Sequence, residues 1–373
     1  MVMAKRPEVR TAPAPVVAVD TVALAQQMVA ALARVPFRHP LRGTSTPLSN
    51  LGMSLTREVV RSFMGYASSL PLPEFRSIEL LLDELCRVVM PPVVRSFDVQ
   101  SRQIEIGGVP GLLYLPRSGR PEGVMLYLHG GGYIGTSPTM YAFFTARLCR
   151  ETQCAVFVAD YRLAPEFPYP AAVEDAAAVA AALVEHGTPP DRLFIAGDSG
   201  GGGLANSLLL SAPQHVDVVS PAGLILFSPE VDLRLDEASV TDNAEHDILP
   251  WNIPTSSYLH GFDASSTYVS PINADLKGFP PTALAWGGDE MFRDPIRRFA
   301  ERLREAGVRL HAHEVAGMFH VFQILMPWAD ASQAVYEHVA HFVRTIIAGA
   351  PPMEHRRFGA LSAGGRPPTP GDA

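Results

Sequence analysis

The chain has 373 residues, 47% of them apolar, and a mean hydropathy of +0.11, which suits one large α/β domain or two smaller ones and excludes wholesale disorder. The formal net charge is −8, from 30 Lys and Arg against 38 Asp and Glu, and no basic block stands out, so the electrostatic footprint of a nucleic-acid binder is missing. Three cysteines (Cys86, Cys149 and Cys154) with no CxxC pair are too few for a disulfide scaffold; they fit a reducing compartment, and a cytoplasmic location is expected.

Residues 1–15 are rich in Pro, Ala and charge and are expected to be mobile. Their basic start and apolar patch suit a secretory signal only poorly, because Glu8 and Asp20 interrupt the patch and Pro7, Pro13 and Pro15 break its helix. From 16 to 94 the pattern is helical: "TVALAQQMVAALARV" and "SIELLLDELCRVVM" repeat apolar residues at i, i+3, i+4 and i+7. The amphipathic "MSLTREVVRSFMGYASSL" reads as a cap or core-packing helix, and membrane-surface association is not expected. After "MPPV", the segment "RSFDVQSRQIEIGGVPGLLYLP" alternates and turns at Gly-Gly, as antiparallel strands do.

From there to residue 348, short apolar runs alternate with helical segments: "VMLYL", "AVFVAD", "RLFIAG", "GLILFS", "TALAWG" and "VRLHAHEV" are strands, with helices between and after them. That pattern predicts a mostly parallel sheet with helices on both faces. The longest uncharged stretch, between Asp198 and Asp217, is glycine-rich and reads as a buried helix, not a membrane span. Residues 349–373 are expected to be a disordered tail.

Two glycine motifs compete. "HGGGYIG" holds G-x-G-x-x-G at Gly130, Gly132 and Gly135 after a strand, as a dinucleotide site would. Thr136-Ser137-Pro138 separates it from the next helix, however, whereas the fingerprint should open its helix directly. The second motif, "AGDSGGGGL", sets Ser199 in G-x-S-x-G between a strand and a helix, which is the context of a nucleophile elbow. A serine nucleophile needs a base, an orienting acid and donors for the oxyanion. The N–H groups of Gly131, Gly132 and Gly200 are candidates for the donors. Asp289, just past "TALAWG", is the preferred acid, with Glu290 and Asp294 as rivals, and His320 in "AGMFHVFQ" is the best-placed base. His129 precedes the serine, which is the wrong chain order for the base, and reads as a packing residue. His311 and His313 alternate on one strand, and His338 and His341 share a helix face and are expected to meet solvent. No third ligand joins either pair at metal-site spacing.

Taken together, "HGGGY", "DYRLAPEFPYPAAVEDA", "AGDSGGG", "SPEVDL", "GGDEMFRD" and "GMFHVFQ" resemble the hormone-sensitive-lipase-like family of α/β-hydrolase esterases over about residues 75–347. The bacterial branch with acetyl-hydrolases and monoterpene ε-lactone hydrolases looks nearest. The resemblance implies an α/β-hydrolase catalytic domain over residues 95–348 under a helical cap formed by 16–94. It implies hydrolysis of short- to medium-chain acyl esters with Ser199 as nucleophile, Asp289 as acid, His320 as base and Gly131, Gly132 and Gly200 as the oxyanion hole. Tyr161, Arg162 and Glu166 would brace the glycine loop and the elbow. No metal or organic cofactor is implied, the partner is a small-molecule ester, and a homodimer is left open. Two departures stand out: Gly200 replaces the usual alanine, and "DEMFRD" is spaced unlike the common "DPLRDE", which keeps Glu290 in play. An amidase or lactonase using the same triad is the nearest alternative, and a non-catalytic ligand-binding protein on the same scaffold is a further one.

Overall fold

The computed structural model describes residues 10–35, 47–117, 119–215, 220–250, 253 and 255–350; the outer parts of both termini expected to be disordered, 1–9 and 351–373, lie outside the described residues. Three helices come first: α1 (Ala14–Arg34), α2 (Pro47–Ala67) and α3 (Leu72–Ser96). A proline sits in the first turn of α1 and of α3, where its missing N–H costs no hydrogen bond.

An eight-stranded sheet follows: β1 (Val99–Ile106), β2 (Val109–Pro116), β3 (Val124–Leu128), β4 (Ala155–Ala159), β5 (Leu193–Asp198), β6 (Gly223–Phe227), β7 (Thr282–Gly287) and β8 (Leu310–Val315). Its order is β1-β2-β4-β3-β5-β6-β7-β8. The β1–β2 hairpin is antiparallel, and β2 pairs antiparallel with β4; all later pairs are parallel. Strands β3 to β7 are buried along their whole length, as continuous apolar runs require when both faces are covered.

The period of two divides each strand between two cores. Val124, Leu126 and Leu128 of β3 face one cluster; Met125 and Tyr127 face the other. The first face is covered by α5 (Ala171–Glu185), α6 (Ser199–His215) and α9 (Arg293–Glu305). The second is covered by α4 (Ala142–Thr152) and α11 (Asp330–Ala348). Three short helices, α7 (Ala238–Asp242), α8 (Thr255–Leu259) and α10 (Phe322–Leu325), lie in the loops. On α9, Ile296, Phe299, Ala300 and Leu303 are buried. The chain winds away from β3 in both directions, so the carboxyl ends of β3 and β5 meet at a topological switch point, where open α/β sheets place their sites.

Arg76 is a buried side chain that fastens the cap to the sheet domain, together with Arg61 of α2, which donates to the carbonyls of Ala244 and Asp247. Arg76 of α3 forks onto Glu166, with Nε–Oε1 at 2.9 Å and Nη2–Oε2 at 2.6 Å, and bonds Glu79 at 2.8 Å. It also donates to the carbonyls of Ala164 and Ile134. Glu166 therefore braces the glycine loop through Arg76. The remaining faces of α1 and α3 carry exposed apolar side chains, among them Val19, Val29, Leu85 and Val88. Among the described residues, α1 is long and apolar enough to cross a membrane, with a window mean hydropathy of 1.7. The uncharged α6 is buried over residues 199–208, as expected.

Removing Arg76 strands Glu79 and Glu166 and frees two buried carbonyls. Arg76→Ala is expected to lower stability by about 3 kcal/mol in urea unfolding, and Arg76→Lys should recover little of it because it cannot reproduce the fork.

Candidate active site

The turn from β5 to α6 has no loop residues: Asp198 ends the strand and Ser199 opens the helix. The serine is held at φ 50°, a left-handed conformation that a non-glycine residue adopts only under constraint. The constraint is crowding. A Cβ at Gly201 would overlap the carbonyl oxygens of Leu128 and His129, so only glycine lets the start of α6 pass beneath the end of β3.

Asp198 fixes the other side of the turn. It is fully buried and accepts from Tyr127 Oη at 2.7 Å, Tyr141 Oη at 2.8 Å and Gly130 N at 2.9 Å. Burial raises its carboxyl to about 6 against the opposing pull of these donors. Its bond to Gly130 ties the elbow to the first residue of the glycine loop. In that loop Gly131 sits at φ 112°, and its carbonyl accepts from Ile134 N at 3.2 Å and Gly135 N at 3.1 Å. The loop then lies against the elbow: a Cβ at Gly200 would be 3.1 Å from Tyr133 N and 3.3 Å from Gly132 Cα. Gly200 is in the first turn of α6, where backbone N–H groups have no partner within the helix. The structure thus brings Gly132 and Gly200 together beside Ser199, with Gly131 the preceding residue of the same loop. A Cβ at position 200 would therefore press on the loop.

His320 Nε2 is 2.8 Å from Ser199 Oγ. The ring is 2% exposed and stands edge-on to Phe292 at 5.1 Å. Burial alone would depress its pKa, but Glu290, Asp247 and Asp198 more than offset this and hold it above the ordinary imidazole value.

The preferred acid has to be corrected. The half-buried Asp289 donates its N–H to Met318 O at 2.9 Å, and the carboxyl that faces the histidine is that of its neighbour. Glu290 is fully buried, and its Oε1 lies 3.8 Å from His320 Nδ1. Among the described residues neither atom has a hydrogen-bond partner, so each faces the other across an ion-pair distance that catalytic contacts often show before substrate binds. The physical reason is a tight turn after β7. Glu290 Oε2 accepts from Gly287 N at 2.9 Å and from Ser228 Oγ at 2.7 Å, which curls the longer side chain back under the histidine loop. Asp294, the other rival, instead pairs with Arg293 at 2.8 Å and accepts from Ser239 N at 3.1 Å.

Several functional neighbours escaped the sequence reading. Asp247 is fully buried and accepts from His320 N at 2.9 Å, Met291 N and Ile248 N at 2.7 Å, which clamps the acid and base loops together. Ser228 bridges the same loops, taking Val321 N at 3.2 Å. "SPEVDL" held Ser228 in plain view without assigning it a role; nothing in the sequence pointed to Asp247. Tyr161 donates to His129 O at 2.5 Å and stacks on that ring at 4.4 Å. His129 is buried and held neutral, with its pKa lowered to about 4 by burial. Arg162 pairs with Asp175 at 2.9 Å. His338 does not simply face solvent: it stacks on His313 at 5.3 Å and bonds His311 O at 3.1 Å.

A serine hydroxyl on a neutral-capable imidazole, an acid behind it and backbone N–H groups beside it can carry out acyl transfer. Comparisons with known proteins agree. Residues 125–324 match a family described as the alpha/beta hydrolase fold. An esterase of Acinetobacter venetianus is 32% identical over 271 residues, covering 71% of this chain and 88% of that protein. An acetyl-hydrolase of Streptomyces hygroscopicus is 35% identical, covering 61% of this chain and 78% of that protein. The crystal structure of an esterase from the bacterial hormone-sensitive lipase family matches with a TM-score of 0.68 and 30% identity, over 78% of this chain and 98% of that one.

The charge behind the histidine can be read directly by NMR. Glu290→Gln is expected to lower the titration midpoint of His320, because it removes the nearest stabiliser of the imidazolium. Asp289→Asn should leave that midpoint in place; the opposite ranking would return the acid to Asp289.

Proposed function

The chain belongs to the hormone-sensitive-lipase-like esterases of the α/β-hydrolase fold, and we propose that it hydrolyses small to medium carboxylic esters through an acyl-enzyme on Ser199. The observation that carries this assignment of residues is the 2.8 Å contact between Ser199 Oγ and His320 Nε2, set at a strand-to-helix elbow. His320 Nε2 takes the hydroxyl proton as Ser199 Oγ attacks the ester carbonyl carbon. The N–H groups of Gly131, Gly132 and Gly200 receive the oxyanion, a role in which a single donor is worth about 3 kcal/mol of barrier. The leaving alkoxide takes the proton from Nε2, and water then attacks the acyl-enzyme with the same imidazole as base. Glu290 orients the ring and stabilises the imidazolium, as the acid of such a triad does. Asp247, through the backbone of His320 and Met291, is a positioning residue and touches no reacting atom.

Ser199→Ala and His320→Ala are each expected to lower kcat for p-nitrophenyl butyrate by roughly 10³-fold or more while the fold is retained by circular dichroism. Near-normal turnover in either variant would remove that residue from the mechanism. The pH profile carries a signed expectation as well. The base must be neutral, and the pKa of His320 is raised, so the acid limb of kcat/KM should lie above about 6.5, the ordinary imidazole value. In Glu290→Gln the limb should move to lower pH as the rate falls.

A further inference from the structure

Among the described residues, the other buried carboxyl groups around His320 each accept at least two hydrogen bonds. Asp198 takes two tyrosine hydroxyls and an N–H, Asp247 takes three N–H groups, and Glu290 takes two donors and faces the imidazole. Glu230 differs. It lies just past the carboxyl end of β6, and its own N–H bonds Ser199 O at 3.0 Å, so its backbone is fixed to the nucleophile. Its side chain is 1% exposed, yet Oε1 has no hydrogen-bond partner among the described residues. Nearby, Tyr133 stacks on Tyr258 at 3.8 Å and 7°, and Tyr258 Oη is likewise buried without a partner. Tyr133 directly follows Gly132 of the oxyanion loop, and both tyrosines lie within the electrostatic reach of Glu230, as does His320.

We propose that Glu230 forms a polar subsite beside Ser199 that selects esters bearing a hydroxyl group within a few bonds of the scissile carbonyl. This rests on the ester-hydrolase reading above. A buried polar atom left without a partner is costly, and such groups in native structures point to a role. Burial pushes the Glu230 carboxyl up to about 7. A hydroxyl satisfies its protonated or its ionised form, because it both donates and accepts. An alkyl chain satisfies neither and leaves the acid unpaired in a closed site, which is how a polar site rejects an apolar isostere.

The test compares kcat/KM within two isosteric pairs. On the acyl side these are p-nitrophenyl 3-hydroxybutyrate and p-nitrophenyl butyrate; on the alcohol side, 2-hydroxyethyl butyrate and propyl butyrate. In the native enzyme the hydroxylated ester of at least one pair is expected to lead by about tenfold or more. Glu230→Leu should bring that ratio close to one, and Glu230→Gln should retain part of it. Ratios that do not move in Glu230→Leu overturn the proposal while turnover of the plain esters leaves the hydrolase reading standing. Loss of all four activities in Glu230→Leu, with a fluorophosphonate still labelling the variant, also overturns it, by showing that Glu230 serves turnover itself. If the native enzyme turned over none of the four esters, both readings would fail.

Discussion

The site depends on one steric constraint, the closeness of two backbones at the start of α6. Gly201 passes so near the carbonyls of Leu128 and His129 that no side chain fits between them. That contact sets the separation of the elbow from the glycine loop, and hence of Ser199 from Gly131 and Gly132. Asp198 then locks the same junction electrostatically through Gly130 N, and Tyr161 closes it from behind through His129 O. The strained φ of Ser199 persists because these contacts over-determine it.

Around that junction the protein gathers buried acidic groups. Asp198, Glu230, Asp247 and Glu290 are all buried, and each interacts electrostatically with His320. Backbone N–H groups and hydroxyls donate to Asp198, Asp247 and Glu290, whereas Glu230 Oε1 is left without a donor among the described residues. The sum keeps the imidazolium accessible in an apolar setting, which a base in acyl transfer needs when it takes the serine proton. Asp247 and Ser228 add the mechanical part: they join the loop after β7 to the loop after β8, which ties Glu290 and His320 together.

Much of this was legible in the sequence. The alternation of apolar runs and helices gave the sheet, because buried parallel strands cannot afford polar residues. G-x-S-x-G after a strand gave Ser199, and chain order gave His320. The acid was not legible: in "GGDE" two adjacent carboxylates differ only in which way a tight turn points them, and the choice is made by Ser228, 62 residues earlier. The fastening of the cap was hidden for the same reason, since Arg76 meets Glu166 across 90 positions. The histidines at 311, 313 and 338 looked like two separate surface pairs until β8 and α11 came together. Patterns local in the chain could be read; partners distant in the chain could not.

The central claim is that the elbow holds an activated serine beside formed oxyanion donors. The most direct measurement is labelling of the folded protein with a fluorophosphonate, followed by peptide mass spectrometry to locate the adduct. The account predicts a single adduct on Ser199. Folded protein that takes no label, or takes it on another residue, would contradict it.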